Sequence, residues 1–279
     1  MAESATAANQ PWHTRSISLP SRSPPAALRV EEELRKLRSS MASPSSTPEK
    51  MCDGLRRLEG VYESINQQIV TQPLQRRWVE EERDGSIRLL DVCSALKDCS
   101  TAMREHVRGL QLALRKNDEA AIVSKVSDYA RFGRKAEKEM RNRFRSLKRT
   151  EDRRIDEHDD LPTAIRVLME AKVITVALLR LASSFLSMQT RRPRSSRWSF
   201  VSKALSKRKV ASEEEGHEGV GSLDCIWCKD VDGERAGRAQ SRRQLQRLDV
   251  SMEGFESALE CLFRQLIQTR VSLLNMLSS

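Results

Sequence analysis

Cys225 and Cys228 stand three residues apart around Ile226 and Trp227, a spacing used by zinc sites and dithiol redox centres alike. Structural zinc takes four ligands, so it needs a second such pair or two suitably spaced histidines. The remaining cysteines (Cys52, Cys93, Cys99 and Cys261) form no second pair. His13, His106, His158 and His217 are too far apart to act as a histidine pair. A thioredoxin-like role needs a strand–helix–strand setting, and this pair sits in a stretch, 213–240, with five glycines and little periodicity. The pair reads as incidental, and zinc or redox work ranks below that. No phosphate loop, paired-histidine helix or nucleophile-elbow serine is present. Glu80, Glu81, Glu82 and Asp84 stand among Arg76, Arg77 and Arg83, the pattern of a solvated helix face. No catalytic, cofactor-binding or metal-binding residue is assigned, and the chain is expected not to be an enzyme.

Two segments carry signals of another kind. Arg191, Arg192, Arg194, Arg197, Lys203, Lys207, Arg208 and Lys209 interleave with Trp198, Phe200, Val201 and Leu205, with no acid between them. Basic amphipathic pieces bind anionic membrane surfaces or partner proteins. A solvated linker with Trp198 tucked onto the fold is the plainer reading. Nucleic acid ranks last, because no recognised binding module accompanies the charge. Lys207-Arg208-Lys209 also admits a weak nuclear-import reading. Nearer the start, Arg15-Ser16-Ile17-Ser18-Leu19-Pro20 has the form that phosphoserine adaptors of the 14-3-3 type read. Phosphorylated Ser18 would dock in an arginine cluster, while Pro20 turns the chain out of the groove. The same tail, rich in Ser and Ala, has the composition of a chloroplast transit peptide. Cleavage beyond Pro20 would remove the adaptor motif, so the two readings exclude each other.

The elements that must position these segments are helices. Leu245, Leu248, Met252, Phe255, Leu259, Leu262, Leu266, Leu273 and Met276 repeat at helical spacing, with Thr269 the polar member in line. Met51, Leu55, Leu58, Tyr62, Ile65 and Ile69 form a second seam behind Thr47-Pro48, a capping residue followed by a first-turn proline. Leu89, Val92, Leu96, Cys99, Met103, Val107, Leu110 and Leu114 form a third, with Asp84-Gly85 before it as a candidate kink. Asn117-Asp118 marks a turn. Ile122, Val126, Tyr129, Ala136, Met140, Phe144 and Leu147 then define a helix that is strongly basic on its outer side. Pro162 opens the most apolar helix, whose apolar residues cover more than one face, so it belongs at the centre. Gly254 inside the last helix should cost ~1 kcal/mol relative to alanine.

Composition agrees. Hydrophobic residues make up 38% and aromatics 4%, a supply that suits helix packing better than a sheet. The net charge of +10 lies in one window, Ala171 to Ser212, which holds ten Lys or Arg and no acid. No apolar run reaches the ~18 residues of a membrane span, and residues 1–30 lack the apolar core of a secretory signal. A reducing compartment with free thiols is expected.

Several segments together resemble a plant-specific family, the Bypass-like proteins. They are Trp12 to Arg22, Val30-Glu31-Glu32, Leu37 to Ser40, Trp78-Val79-Glu80, Asp84 to Cys93, Trp198 to Lys203, Leu259 to Arg264 and Thr269 to Asn275. Residues 216–240 show little of it. The resemblance implies a role in root and shoot development and supplies no catalytic motif.

The expected fold is all-α: an elongated bundle of four to five long helices with a disordered N-terminus and a flexible basic, glycine-rich loop. The expected division is a tail at 1–25, a bundle at 26–190, a linker and loop at 191–240, and a C-terminal helix at 241–279 packing back on the bundle. The expected function is a non-enzymatic interaction protein acting in organ development. The alternative is a peripheral membrane or trafficking factor that binds anionic lipid through 191–209. Protein partners are unidentified and pairing of two copies stays open. The expected location is cytoplasmic with membrane association open, ahead of chloroplast or nucleus.

Overall fold

A computed structural model describes residues 25–42, 47–71, 74, 76–151, 162–190 and 234–278. Among them are six helices and no strand: α1 (Pro25–Met41), α2 (Pro48–Thr71), α3 (Arg76–Lys116), α4 (Glu119–Glu151), α5 (Thr163–Thr190) and α6 (Glu234–Ser278). The all-α expectation holds, with one short helix and five longer ones. At 1.5 Å per residue the 45 residues of α6 extend ~67 Å.

Local chemistry sets the boundaries. Thr47 caps α2: its Oγ1 accepts from the Lys50 amide at 3.4 Å, and its carbonyl accepts from the Met51 amide at 3.1 Å. α3 ends at Asn117, which takes the left-handed conformation (φ 53°). The Asp118 amide then reaches back to the Ala113 carbonyl at 3.3 Å, closing a Schellman turn. Asp118 also starts α4, its Oδ1 accepting from the Ala121 amide at 2.9 Å. Two residues thus stop one helix, start the next and reverse the chain. The Pro162 carbonyl accepts from Ile165 and Arg166 at the opening of α5.

The five long helices close a ring in the order α2, α6, α3, α4, α5 and back to α2. α5 also touches α3 across the middle and α1 on the outside, so it meets four helices, as its wide apolar surface requires. The predicted α6 seam is buried from Leu245 through Leu273, and Met276 is half-buried. Thr269 sits in it with its hydroxyl donating to the Gln265 carbonyl at 2.9 Å, which satisfies the polar group locally. A Cβ on Gly254 would lie 3.4 Å from Cys52 Sγ on α2, an ordinary contact distance, so α2 and α6 lie close there without requiring glycine.

Two details add to the expectation. α3 runs unbroken through Asp84-Gly85. There the Arg270 guanidinium donates to the Arg83 carbonyl at 2.6 Å and Ser86 Oγ at 3.1 Å, bracing that turn from α6. And α6 begins at Glu234, so residues 234–240 are helical.

Some polar groups inside the ring are paired across helices. Tyr62 Oη lies 3.0 Å from Thr175 Oγ1, which donates to the Ala171 carbonyl at 2.7 Å. Lys172 of α5 forms a buried ion pair with Glu82 of α3. The short α1 is clasped by Arg57–Glu33, Arg166–Glu31 and Arg38–Glu170, each at 2.9 Å.

Candidate interaction surface

Arg15, Ser16, Ser18 and Pro20 lie outside the described residues, and so do Arg191, Arg192, Arg194, Arg197, Trp198, Lys203, Lys207, Arg208 and Lys209. Cys225 and Cys228 lie outside them too. The four described thiols are free: Cys52 and Cys93 are buried, Cys99 and Cys261 half-buried. Burial pushes the Cys52 and Cys99 thiols up to about 11 and Cys93 to about 12. Thiols held that high stay protonated at neutral pH and are poor nucleophiles and metal ligands.

Charge on the bundle falls into two kinds. The first ties α3 to α6, which run antiparallel. Arg104 of α3, only 15% exposed, donates to Asp249 at 3.1 Å, Glu253 at 2.6 Å and Glu256 at 3.1 Å. Arg108 adds a bond to Asp249 at 3.2 Å, and Lys97 meets Glu260 at 2.8 Å. The Lys97 hydrogen bond, helped by Arg264, holds the Glu260 carboxyl below the ordinary 4.5. Arg242 of α6 donates to the Leu114 carbonyl at 2.8 Å, serving the C-terminal end of α3. Asp249, Glu253, Glu256 and Glu260 recur at 4-3-4 spacing, one line along α6. The same line continues as Ile267, Val271 and Leu274, all exposed.

The second kind lies along α4. Its buried side is Val126, Tyr129, Gly133, Met140 and Leu147. Directly opposite stand Arg131, Arg134, Lys135, Lys138 and Arg145, all exposed, within a stripe ~80–100° wide at 100° per residue. Arg131 pairs with Asp128 one turn back. Arg134, Lys135 and Lys138 form no ion pair among the described residues, and Arg145 donates only to Asn142 at 3.4 Å. The acids Glu137 and Glu139 fall on either flank of the stripe, where they meet Arg141 at 2.7 Å and Arg143 at 2.9 Å. Periodicity alone exposes this stripe: the sequence pattern showed α4 to be basic outside, and a helical wheel would have named its members.

Beside the stripe, α4 and α5 form a shallow open cleft lined by Glu137, Arg141, Phe144, Arg180, Ser183, Ser184 and Ser187. The Arg180 guanidinium sits 5.6 Å from the centre of the Phe144 ring. Near it, α5 ends against α4 at Gly133. A Cβ on Gly133 would stand 2.1 Å from Thr190 Cβ, so glycine alone admits that contact.

A family model described as Protein BPS1 matches residues 54–276, most of the chain. The chain belongs to that family. The BPS1 span begins inside α2 and reaches nearly to the end of α6, so it takes in the whole helical ring, the α3–α6 ion pairs and the α4 stripe. It leaves out α1 and the Arg15–Pro20 motif. No curated protein and no solved structure matches the chain. Among the described residues no helix is long and apolar enough to cross a membrane, and no cluster of three or more His, Cys, Asp or Glu could hold a metal.

Proposed function

We propose that this chain is a non-enzymatic interaction protein acting in root and shoot development, with the helical ring as a rigid support and the outer face of α4 as its presenting surface. Family membership supports the developmental part. The observation that carries the rest is the α4 stripe: Arg134, Lys135 and Lys138 are aligned, exposed and not engaged in holding the bundle together. Like charges a turn apart repel, so a partner that neutralises them relieves a standing cost. The interior supports a structural role, since aliphatic side chains fill it and its thiols are held protonated.

Proximity labelling in root tissue tests this, comparing the parent with a variant carrying Arg134→Gln, Lys135→Gln, Lys138→Gln and Arg145→Gln. A defined set of neighbours should disappear in the variant. Identical neighbour sets would overturn α4 as the presenting surface.

A second reading is a peripheral membrane or trafficking factor that uses residues 191–209. It is favoured by the acid-free basic run 191–209, with Trp198, Phe200, Val201 and Leu205 interleaved. Sedimentation with anionic vesicles, with Arg191, Arg192, Arg194, Arg197, Lys207, Arg208 and Lys209 neutralised, tests it; unchanged binding would remove it.

A further inference from the structure

We infer that the outer face of α4, from Arg131 to Arg145, is a docking surface for an anionic lipid bilayer, reached by electrostatic adsorption without insertion. The inference rests on the reading of α4 as the presenting surface and names its partner. It does not depend on residues 191–209.

Shape favours a plane. A straight helix on the outside of a bundle is a convex ridge, and a flat surface touches such a ridge along its whole length. The fourteen-residue rise from Arg131 to Arg145 is ~21 Å. Every cation on that line then stands within one Debye length, ~8–10 Å, of the lipid phosphates at the same time. Among the described residues the stripe itself carries no aromatic residue to stack a nucleic-acid base, and the cleft beside it is shallow.

Charge favours an anionic plane. Lys and Arg near such a leaflet each contribute about 1 kcal/mol, roughly a fivefold gain in binding. The flanking acids are already held by Arg141 and Arg143. The other large acidic line, Asp249 to Glu260, is on α6, which packs on α3 and does not touch α4. No large apolar residue is exposed on α4 between Arg131 and Leu147. Nothing there would enter the acyl region, so contact should be reversible and sensitive to salt.

The test is sedimentation of the full chain with vesicles of phosphatidylcholine alone or with 30% phosphatidylserine added (about that proportion suffices to set the surface potential). The α4 variant with Arg134, Lys135, Lys138 and Arg145 changed to Gln should bind the anionic vesicles at least about tenfold more weakly than the parent. A variant with Arg134→Lys and Arg145→Lys should bind like the parent, since adsorption reads charge. Binding of the parent should vanish in roughly 0.5 M salt. Circular dichroism of each variant establishes that it is folded. Equal binding by the folded α4 variant and the parent overturns the inference, and so does retention on duplex nucleic acid with no binding to anionic vesicles. Loss of binding on neutralising 191–209 alone, with the α4 variant unaffected, also overturns it while leaving the second reading standing. Loss of α4-dependent neighbours in tissue without any vesicle binding sinks the lipid partner but keeps α4 as a protein-facing surface.

Discussion

Cations on α3 and α4 meet opposite fates. Arg104, Arg108 and Lys97 reach across to acids on α6; Arg104 and Lys97 are largely covered, while Arg108 stays exposed. Arg134, Lys135 and Lys138 are as numerous, belong to the next helix in the ring, and form no ion pair to another helix among the described residues. The difference follows from where the helices sit. Among the described residues, α3 has α6, α4 and α5 around it, whereas α4 meets only α3 and α5. Charges between two helices fix register and pairing; charges on a one-sided helix are left for solvent or a partner. A positive sum therefore says little until each cation is assigned to one of the two roles.

The largest effect expected within that contrast comes from the most covered cation. Lys172→Met leaves Glu82 buried without its ammonium, and should cost about 3–5 kcal/mol in urea unfolding. Adding Glu82→Leu should restore most of it, because an apolar pair needs no desolvation. Failure of the second change to rescue would place the loss in packing rather than charge.

Next comes the α3–α6 seam. Arg104→Met leaves Asp249, Glu253 and Glu256 facing one another, and should cost on the order of 1 kcal/mol, less in high salt. Acid should loosen the same seam. The Glu260 carboxyl is held below 4.5 in the folded chain, so its contribution is complete above the unfolded value and fades as pH falls through the lower folded value. Unfolding followed from pH 6 to pH 3 should show stability declining there; a flat profile would contradict the assignment.

A smaller contrast concerns two buried tyrosines. Tyr62 Oη is bonded to Thr175, whereas Tyr129 Oη, on the buried side of α4, has no hydrogen-bond partner among the described residues. Tyr62→Phe should destabilise by about 1 kcal/mol, and Tyr129→Phe should be neutral or slightly stabilising. Thermal melts of the two variants give the comparison directly.

Much of this was legible in the sequence where the cause is local. The α6 seam, the Thr47-Pro48 start and the Asn117-Asp118 turn follow from helical spacing and capping chemistry, which act within a turn or two. The Arg270 brace at Asp84-Gly85 joins residues far apart in the chain, which local spacing does not carry. The Lys172–Glu82 pair and the ring order depend on which helix meets which, and spacing carries no such information. The α4 stripe lay between these cases. Its residues could be lined up from periodicity, but that they have no cross-helix acids needed the ring.

Urea unfolding of the variant with Arg134, Lys135, Lys138 and Arg145 changed to Gln, beside the parent and Arg104→Met, tests the division of cations most directly. The α4 variant should unfold within about 0.5 kcal/mol of the parent, while Arg104→Met falls clearly below it. An α4 variant that loses as much stability as Arg104→Met would show that those cations hold the bundle together, and the account of α4 as a free surface would be contradicted.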